Sequence, residues 1–131
     1  MKRIPKKIKT TVTQAKTLAH EIAPRLQGGA VLALIGNLGA GKTTFTQALA
    51  QALGIAHSVS SPTFVLQQTY PIPNTQIHLD HFDLYRLESE DEIQKSGLVE
   101  HWGNPHIISV IEWADKAENL LPSHTTYIYF S

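Results

Sequence analysis

The nine residues from Gly36 to Thr44, GNLGAGKTT, limit what this chain can fold into more than any other stretch. They satisfy the spacing G-x-x-x-x-G-K-S/T at Gly36, Gly41, Lys42 and Thr43. Ahead of them lies the apolar run Ala30 to Ile35, which reads as a buried strand. Behind them Phe45, Ala48, Leu49, Ala52 and Leu53 recur at helical spacing, and Gly54 is placed to close that helix as a left-handed cap. A strand, a glycine-rich loop and a helix in this order form a cradle for phosphate. The glycines at 36, 39 and 41 let the backbone curl, so that N–H groups across Asn37, Leu38, Gly39, Ala40 and Gly41 point inward. The helix beginning near Lys42 adds its positive amino-terminal dipole. Lys42 is the cation for the β- and γ-phosphates, the Thr43 hydroxyl is a Mg²⁺ ligand, and Thr44 is a further candidate for binding the nucleotide. The competing reading, a plain flexible turn, leaves the flanking strand and helix without a role.

The rest of the composition sets bounds around that loop. A length of 131 residues suits one domain, 1–131, with a core of its own. A content of 42% hydrophobic and 17% charged residues excludes wholesale disorder. With no cysteine, disulfides, thiolate zinc cages and thiol catalysis are ruled out. No apolar run approaches the ~18 residues of a membrane span, and the basic start lacks an apolar stretch behind it, so a cytoplasmic location is expected. Net charge is zero but unevenly spread: residues 1–42 hold eight Lys and Arg against one acid, and the remainder three against ten. Such a basic end favours an acidic partner or nucleic acid, or it is simply a solvated, frayed tail over residues 1–10.

Elsewhere Ala15, Leu18, Ala19 and Ile22 predict a helix with Thr13 as its N-cap, ended by Pro24. Residues 63–70 and 76–85 read as two strands joined by a turn at 71–74, an antiparallel hairpin. Residues 87–98 suggest a short acidic helix, 107–111 a second buried strand, and 125–130 a last strand. The fold class expected is α/β: a P-loop NTPase-like three-layer sandwich with a central mixed, mostly parallel sheet and an antiparallel hairpin insertion.

A phosphate loop needs an acid for its metal, ordinarily at the end of another buried strand. Glu112, closing the run Ile107 to Ile111, has that position, and the simpler alternative is a helix cap or a surface glutamate. A third group is His78-Leu79-Asp80-His81-Phe82-Asp83-Leu84-Tyr85-Arg86. Strand alternation argues against a metal cage there, because His78 and Asp80 face one way, and His81 and Asp83 the other. Asp83, near the strand end, is the candidate for orienting or deprotonating an attacking water. His78 and Asp80 read better as core or rim residues.

Absent motifs narrow the choice further. No Asn-Lys-x-Asp element for guanine occurs, so adenine is the better base. After the loop the chain has a single arginine, Arg86, whereas small-molecule kinases clamp two phosphorylated substrates with several. A minimal ATPase that switches a partner fits, with a nucleoside or sugar kinase as the alternative. A third reading, an RNA-binding module using the basic end, lacks any aromatic RNP-like string.

The combination of GNLGAGKTT, Ser61-Pro62-Thr63, HFDLYRL from His81 to Leu87, and Ile111-Glu112-Trp113 resembles the bacterial TsaE (YjeE) family over about residues 11 to 122. These are small P-loop ATPases required for threonylcarbamoyladenosine formation in tRNA, at the adenosine 3′ of the anticodon. The resemblance implies ATP and Mg²⁺ as cofactors, with Lys42 on phosphate and with Thr43 and Glu112 on the metal. It implies a switch-like loop at Ser61 to Thr63, a need for Asp83 and Trp113 in activity, and a nucleotide base near Thr11 to Thr13. It also implies a partner, the TsaB–TsaD pair, with tRNA met only through that complex. Two positions depart from the family pattern: Asn37 stands where many members have aspartate, and Ser60 where many have a basic residue. Since residue 37 contributes backbone to the cradle, the first departure is expected to matter little.

Overall fold

The computed structural model of the chain describes residues 4–37, 39–56, 59 and 66–131, with the backbone alone at 39 and 40. Strands β1 (Lys7–Thr10), β2 (Val31–Ile35), β3 (Gln67–Pro71), β4 (His78–Asp83), β5 (Ile107–Glu112) and β6 (Thr126–Phe130) form one sheet in the order β1-β6-β2-β5-β4-β3. Every neighbouring pair is parallel except β3–β4, which is antiparallel and closes one edge. Helices α1 (Ala15–Ile22) and α2 (Gly39–Ala52) share a core with Leu32, Leu34, Leu79, Ile108, Val110 and Ile128. Helix α3 (Glu90–Lys95) and two 3₁₀ segments, Leu98–His101 and Ala114–Leu120, share the other with Val31, Ala33, Phe82 and Ile111. Successive residues of β2 therefore belong to opposite cores, the alternation that a sheet covered on both faces requires. The three-layer α/β architecture expected from the sequence is the one observed.

Strand β2 is central because VLALI has no polar side chain to leave in water, and Val31 to Leu34 are all buried. Each large side chain among them contributes about 1.5–3 kcal/mol of transfer free energy. Helix α1 buries Ala15, Ala19 and Ile22, a stripe spaced by four and three residues, against α2. Pro24 falls within a 3₁₀ turn, Ala23–Arg25, that ends this helix as the sequence suggests.

Three expectations are corrected. The basic segment is not frayed from Lys7 onward: β1 pairs in parallel with β6, Ile8 opposite Ile128 and Thr10 opposite Phe130. Burial of Thr10 and half-burial of Ile8, with Lys7 and Lys9 outward, supply the reason. Thr13 does not cap α1: the N-cap is Gln14, whose N–H donates to the Thr11 carbonyl, while the Thr13 hydroxyl meets that of Thr11 at 3.1 Å. The acidic helix is also shorter than residues 87–98. Ser89 caps it by accepting from the Glu92 N–H, and Gly97, at φ +84°, breaks the chain into the following 3₁₀ segment. The hairpin is present, with β3 beginning at Gln67; residues 60–65 lie outside the described residues.

Candidate functional site

In an open α/β sheet, ligands bind outside the carboxyl ends of the parallel strands. Three adjacent strands end together here. Leu34 of β2 lies opposite Glu112 of β5, and Glu112 lies opposite Asp83 of β4. The glycine loop leaves the end of β2 at Gly36. The backbone there has φ +139°, and a Cβ would stand 2.6 Å from the Phe130 carbonyl oxygen, so only glycine fits. At Gly41 a Cβ would meet Phe130 and Val12 at 3.3 Å each. The segment Thr11 to Thr13 is thereby set against the start of α2, although the Thr13 side chain is itself exposed. Helix α2 begins at Gly39, three residues ahead of Lys42.

Lys42 is 2% exposed, an unusual burial for a lysine. Its Nζ sits 4.5 Å from the centroid of the Trp113 ring, so the indole face takes part of the place of an anion. Trp113 follows Glu112 directly and holds a left-handed backbone, φ 59° and ψ 36°, which turns its ring back over the loop. That conformation is uncommon for a bulky residue and costs of order 1–3 kcal/mol. The Tyr85 ring packs against Trp113 in a tilted arrangement, with centroids 5.1 Å apart and planes at 48°. Lys116 ties the group together, donating to the carbonyls of Tyr85 at 2.7 Å and Leu87 at 3.1 Å, with its Nζ 5.8 Å from the Trp113 ring.

Glu112 is buried, and its Oε2 lies 2.6 Å from His81 Nε2. Asp83 is half-buried and accepts the Tyr85 N–H on Oδ1 at 2.9 Å, which shapes the turn carrying that ring. The structure thus brings Lys42, Glu112, Asp83 and Trp113 to one edge of the sheet, with Thr43 and Thr44 half-buried in the first turns of α2 and Asn37 exposed at the loop. Leu38 and Thr63, with the rest of Ser60 to Thr63, lie outside the described residues. Only the backbone of Gly39 and Ala40 is described, within α2. The donor set suits Mg²⁺, which takes one or two carboxylates beside phosphate oxygens and keeps several waters: Glu112 offers a held carboxylate, and Thr43 a hydroxyl one residue after Lys42.

Sequence spacing gives no sign of Lys116, which reaches this edge from the 3₁₀ segment after β5. His81 is legible in part, since alternation puts it on the face of Asp83. The other face carries Asp80, buried beside His101 and accepting from Gln67 at 3.0 Å. His78 is exposed, so the pair forms no cage.

Burial pushes the Asp80 carboxyl above its ordinary value, against the opposing pull of the Thr69 hydrogen bond, the charges of His101 and His78, and the Gln67 hydrogen bond. The folded state then holds that proton more readily than the unfolded chain. The stability from this group is full below the ordinary carboxylate value and is lost as pH rises through the raised one. Asp80→Asn should therefore melt progressively higher than the parent as pH is raised from about 4 to about 7. Thermal melts across that range test this, and a difference that shrinks with rising pH would contradict it.

A family profile described as "Threonylcarbamoyl adenosine biosynthesis protein TsaE" matches residues 9–131. The chain is 39% identical over 115 residues to the tRNA threonylcarbamoyladenosine biosynthesis protein TsaE of Bacillus subtilis, covering 88% of this chain and 70% of that protein. It is 42% identical over 89 residues to the Haemophilus influenzae protein of the same name, covering 68% of this chain and 54% of that one. The match thus spans about half the length of the Haemophilus relative. Among solved structures, Bacillus subtilis YdiB superposes with a TM-score of 0.61 at 32% identity, over 86% of this chain and 66% of that one. A phosphate loop, a carboxylate on the adjacent strand and a match over residues 9–131 lead to one assignment: the chain belongs to the TsaE family of threonylcarbamoyladenosine biosynthesis proteins.

Proposed function

We propose that this chain is a Mg²⁺-dependent P-loop ATPase that energises or resets a TsaB–TsaD transferase complex during threonylcarbamoyladenosine formation on tRNA. The observation that carries the reading is the alignment of Leu34, Glu112 and Asp83 across three neighbouring strand ends, with the glycine loop and Lys42 directly beyond them.

Each residue has a distinct task. The loop backbone and Lys42 bind phosphate, and Lys42 exchanges its contact with the Trp113 face for phosphate oxygens. Thr43 and Glu112 hold Mg²⁺, which supplies charge neutralisation on the β- and γ-phosphates when bound. Asp83 orients the attacking water and accepts its proton. Trp113 and Tyr85 cover the cleft and limit water access. Thr13 and its neighbours serve the base, and Thr63 serves to sense the γ-phosphate. With Arg86 the only arginine after the loop, the chain is poorly equipped to stabilise the transferring phosphoryl group by itself. Hydrolysis by the chain alone is therefore slow and accelerates when a partner completes the site.

Pull-down with purified TsaB–TsaD, in the presence of ATP, ADP or no nucleotide, tests the partner. The ATP-loaded chain should associate and should release after hydrolysis, because loops ordered by the γ-phosphate relax when it leaves. Absence of association in every nucleotide state would contradict the partner assignment.

A further inference from the structure

We infer that His81 is a positioning residue for the metal site: its ring N–H fixes the Glu112 carboxylate in the orientation that Mg²⁺ requires. The inference rests on the reading of Glu112 as the metal carboxylate. His81 lies on β4 opposite Val110, two residues before Asp83, so its side chain shares the face of Glu112 and sits diagonally from it. Both side chains are nearly sealed, 1% and 6% exposed, and Nε2 meets Oε2 at 2.6 Å. Nδ1 is buried with no hydrogen-bond partner among the described residues. A proton on Nδ1 would be an orphaned buried donor, whereas a proton on Nε2 lies along the short contact. The arrangement therefore selects the tautomer that donates to Glu112.

A hydrogen bond from His81 to one oxygen restricts rotation of the whole carboxylate plane. Glu112 carries two rotatable bonds between Cβ and its carboxyl group, and ordering them before metal arrives removes part of the entropic cost of binding. Outer partners of this kind typically change metal affinity about 10–100-fold when removed. Asp83 and Glu112 end neighbouring strands, and His81 holds the Glu112 carboxylate from two positions deeper in β4, where it is buried beside Val110.

The test uses the full chain with ADP and Mn²⁺ as the probe, the bound metal being read by electron paramagnetic resonance. His81→Gln retains an N–H donor at the same number of bonds from Cβ as Nε2; His81→Asn moves it one bond short. Mn²⁺ affinity should stay within about threefold of the parent in His81→Gln and fall about 10–100-fold in His81→Asn. ADP affinity measured in EDTA should be unchanged in both, which a general collapse of the site would not allow. Parental Mn²⁺ affinity in His81→Asn, or equal losses in both variants, would overturn the inference. Should His81→Asn fail to fold, His81→Gln decides alone: retained affinity supports the donor role and a loss overturns it. Glu112→Gln separates the two levels. If it leaves Mn²⁺ binding unchanged, the metal role of Glu112 fails and this inference with it; if it abolishes binding while His81→Asn does not, only the role of His81 fails.

Discussion

Lys42→Ala should lose about 2–5 kcal/mol of ATP affinity, about 30-fold to several thousand-fold, while keeping its fold. The size follows from where the ammonium sits. It is buried at the root of α2, and an anion arriving there meets a cation already stripped of most of its water. Its resting contact is a neutral indole, so phosphate replaces an interaction of about 0.5–2 kcal/mol with a charge-assisted one. The alanine variant loses the second without regaining anything, and Trp113 is left over a gap. Calorimetric titration with ATP measures the loss, and a thermal melt confirms that the variant is folded. Parental affinity in a folded Lys42→Ala protein would remove the phosphate-binding role of this lysine.

Asp83→Asn should bind Mg·ATP nearly as tightly as the parent yet hydrolyse it about two to four orders of magnitude more slowly. Asparagine is the informative replacement because it separates the turn contact from the proposed activation of water. Asp83 Oδ1 accepts the Tyr85 N–H and shapes the turn that carries the exposed ring, and an amide oxygen can do the same. What asparagine lacks is the charge and the basicity needed to take a proton from water. A variant that hydrolyses at the parental rate would show that Asp83 does not activate the water. One that loses binding as well would move the residue from water activation to nucleotide or metal binding. Steady-state phosphate release together with nucleotide titration distinguishes these outcomes.

The parts of this account legible in the sequence are those that depend on short-range pattern. GNLGAGKTT is local, and so is the strand–loop–helix context around it. Glu112 is visible because a mostly apolar run, Ile107 to Ile111, ending in an acid marks a buried strand that delivers a carboxylate to the sheet edge. The alternation of β4 correctly divides His78 and Asp80 from His81 and Asp83, and the structure gives the reason in register, with Asp83 beside Glu112. What escapes the sequence depends on contacts between residues far apart in the chain. Strand β1 is four residues long and half lysine, and it becomes a strand only because β6, at the other end of the chain, offers Tyr127 to Phe130 as a partner. The cover of Trp113 over Lys42 joins the end of β5 to α2 through a left-handed backbone that no spacing rule predicts. Lys116 enters the same group from a 3₁₀ segment. The N-cap of α1 lies at Gln14 rather than Thr13 because the turn before it closes through the Thr11 carbonyl, leaving the Thr13 hydroxyl to its neighbour.

The most direct test of the central claim is phosphorus NMR of Mg·ATP incubated with the chain, alone and with TsaB–TsaD and tRNA. Inorganic phosphate and ADP should form in equal amounts, slowly with the chain alone and faster in the complex, and neither should form with Lys42→Ala. With a mixture of nucleosides and sugars added as acceptors, a phosphorylated small molecule in place of free phosphate would contradict the account and assign the site to a kinase; ATP left intact in the complete mixture would contradict it outright.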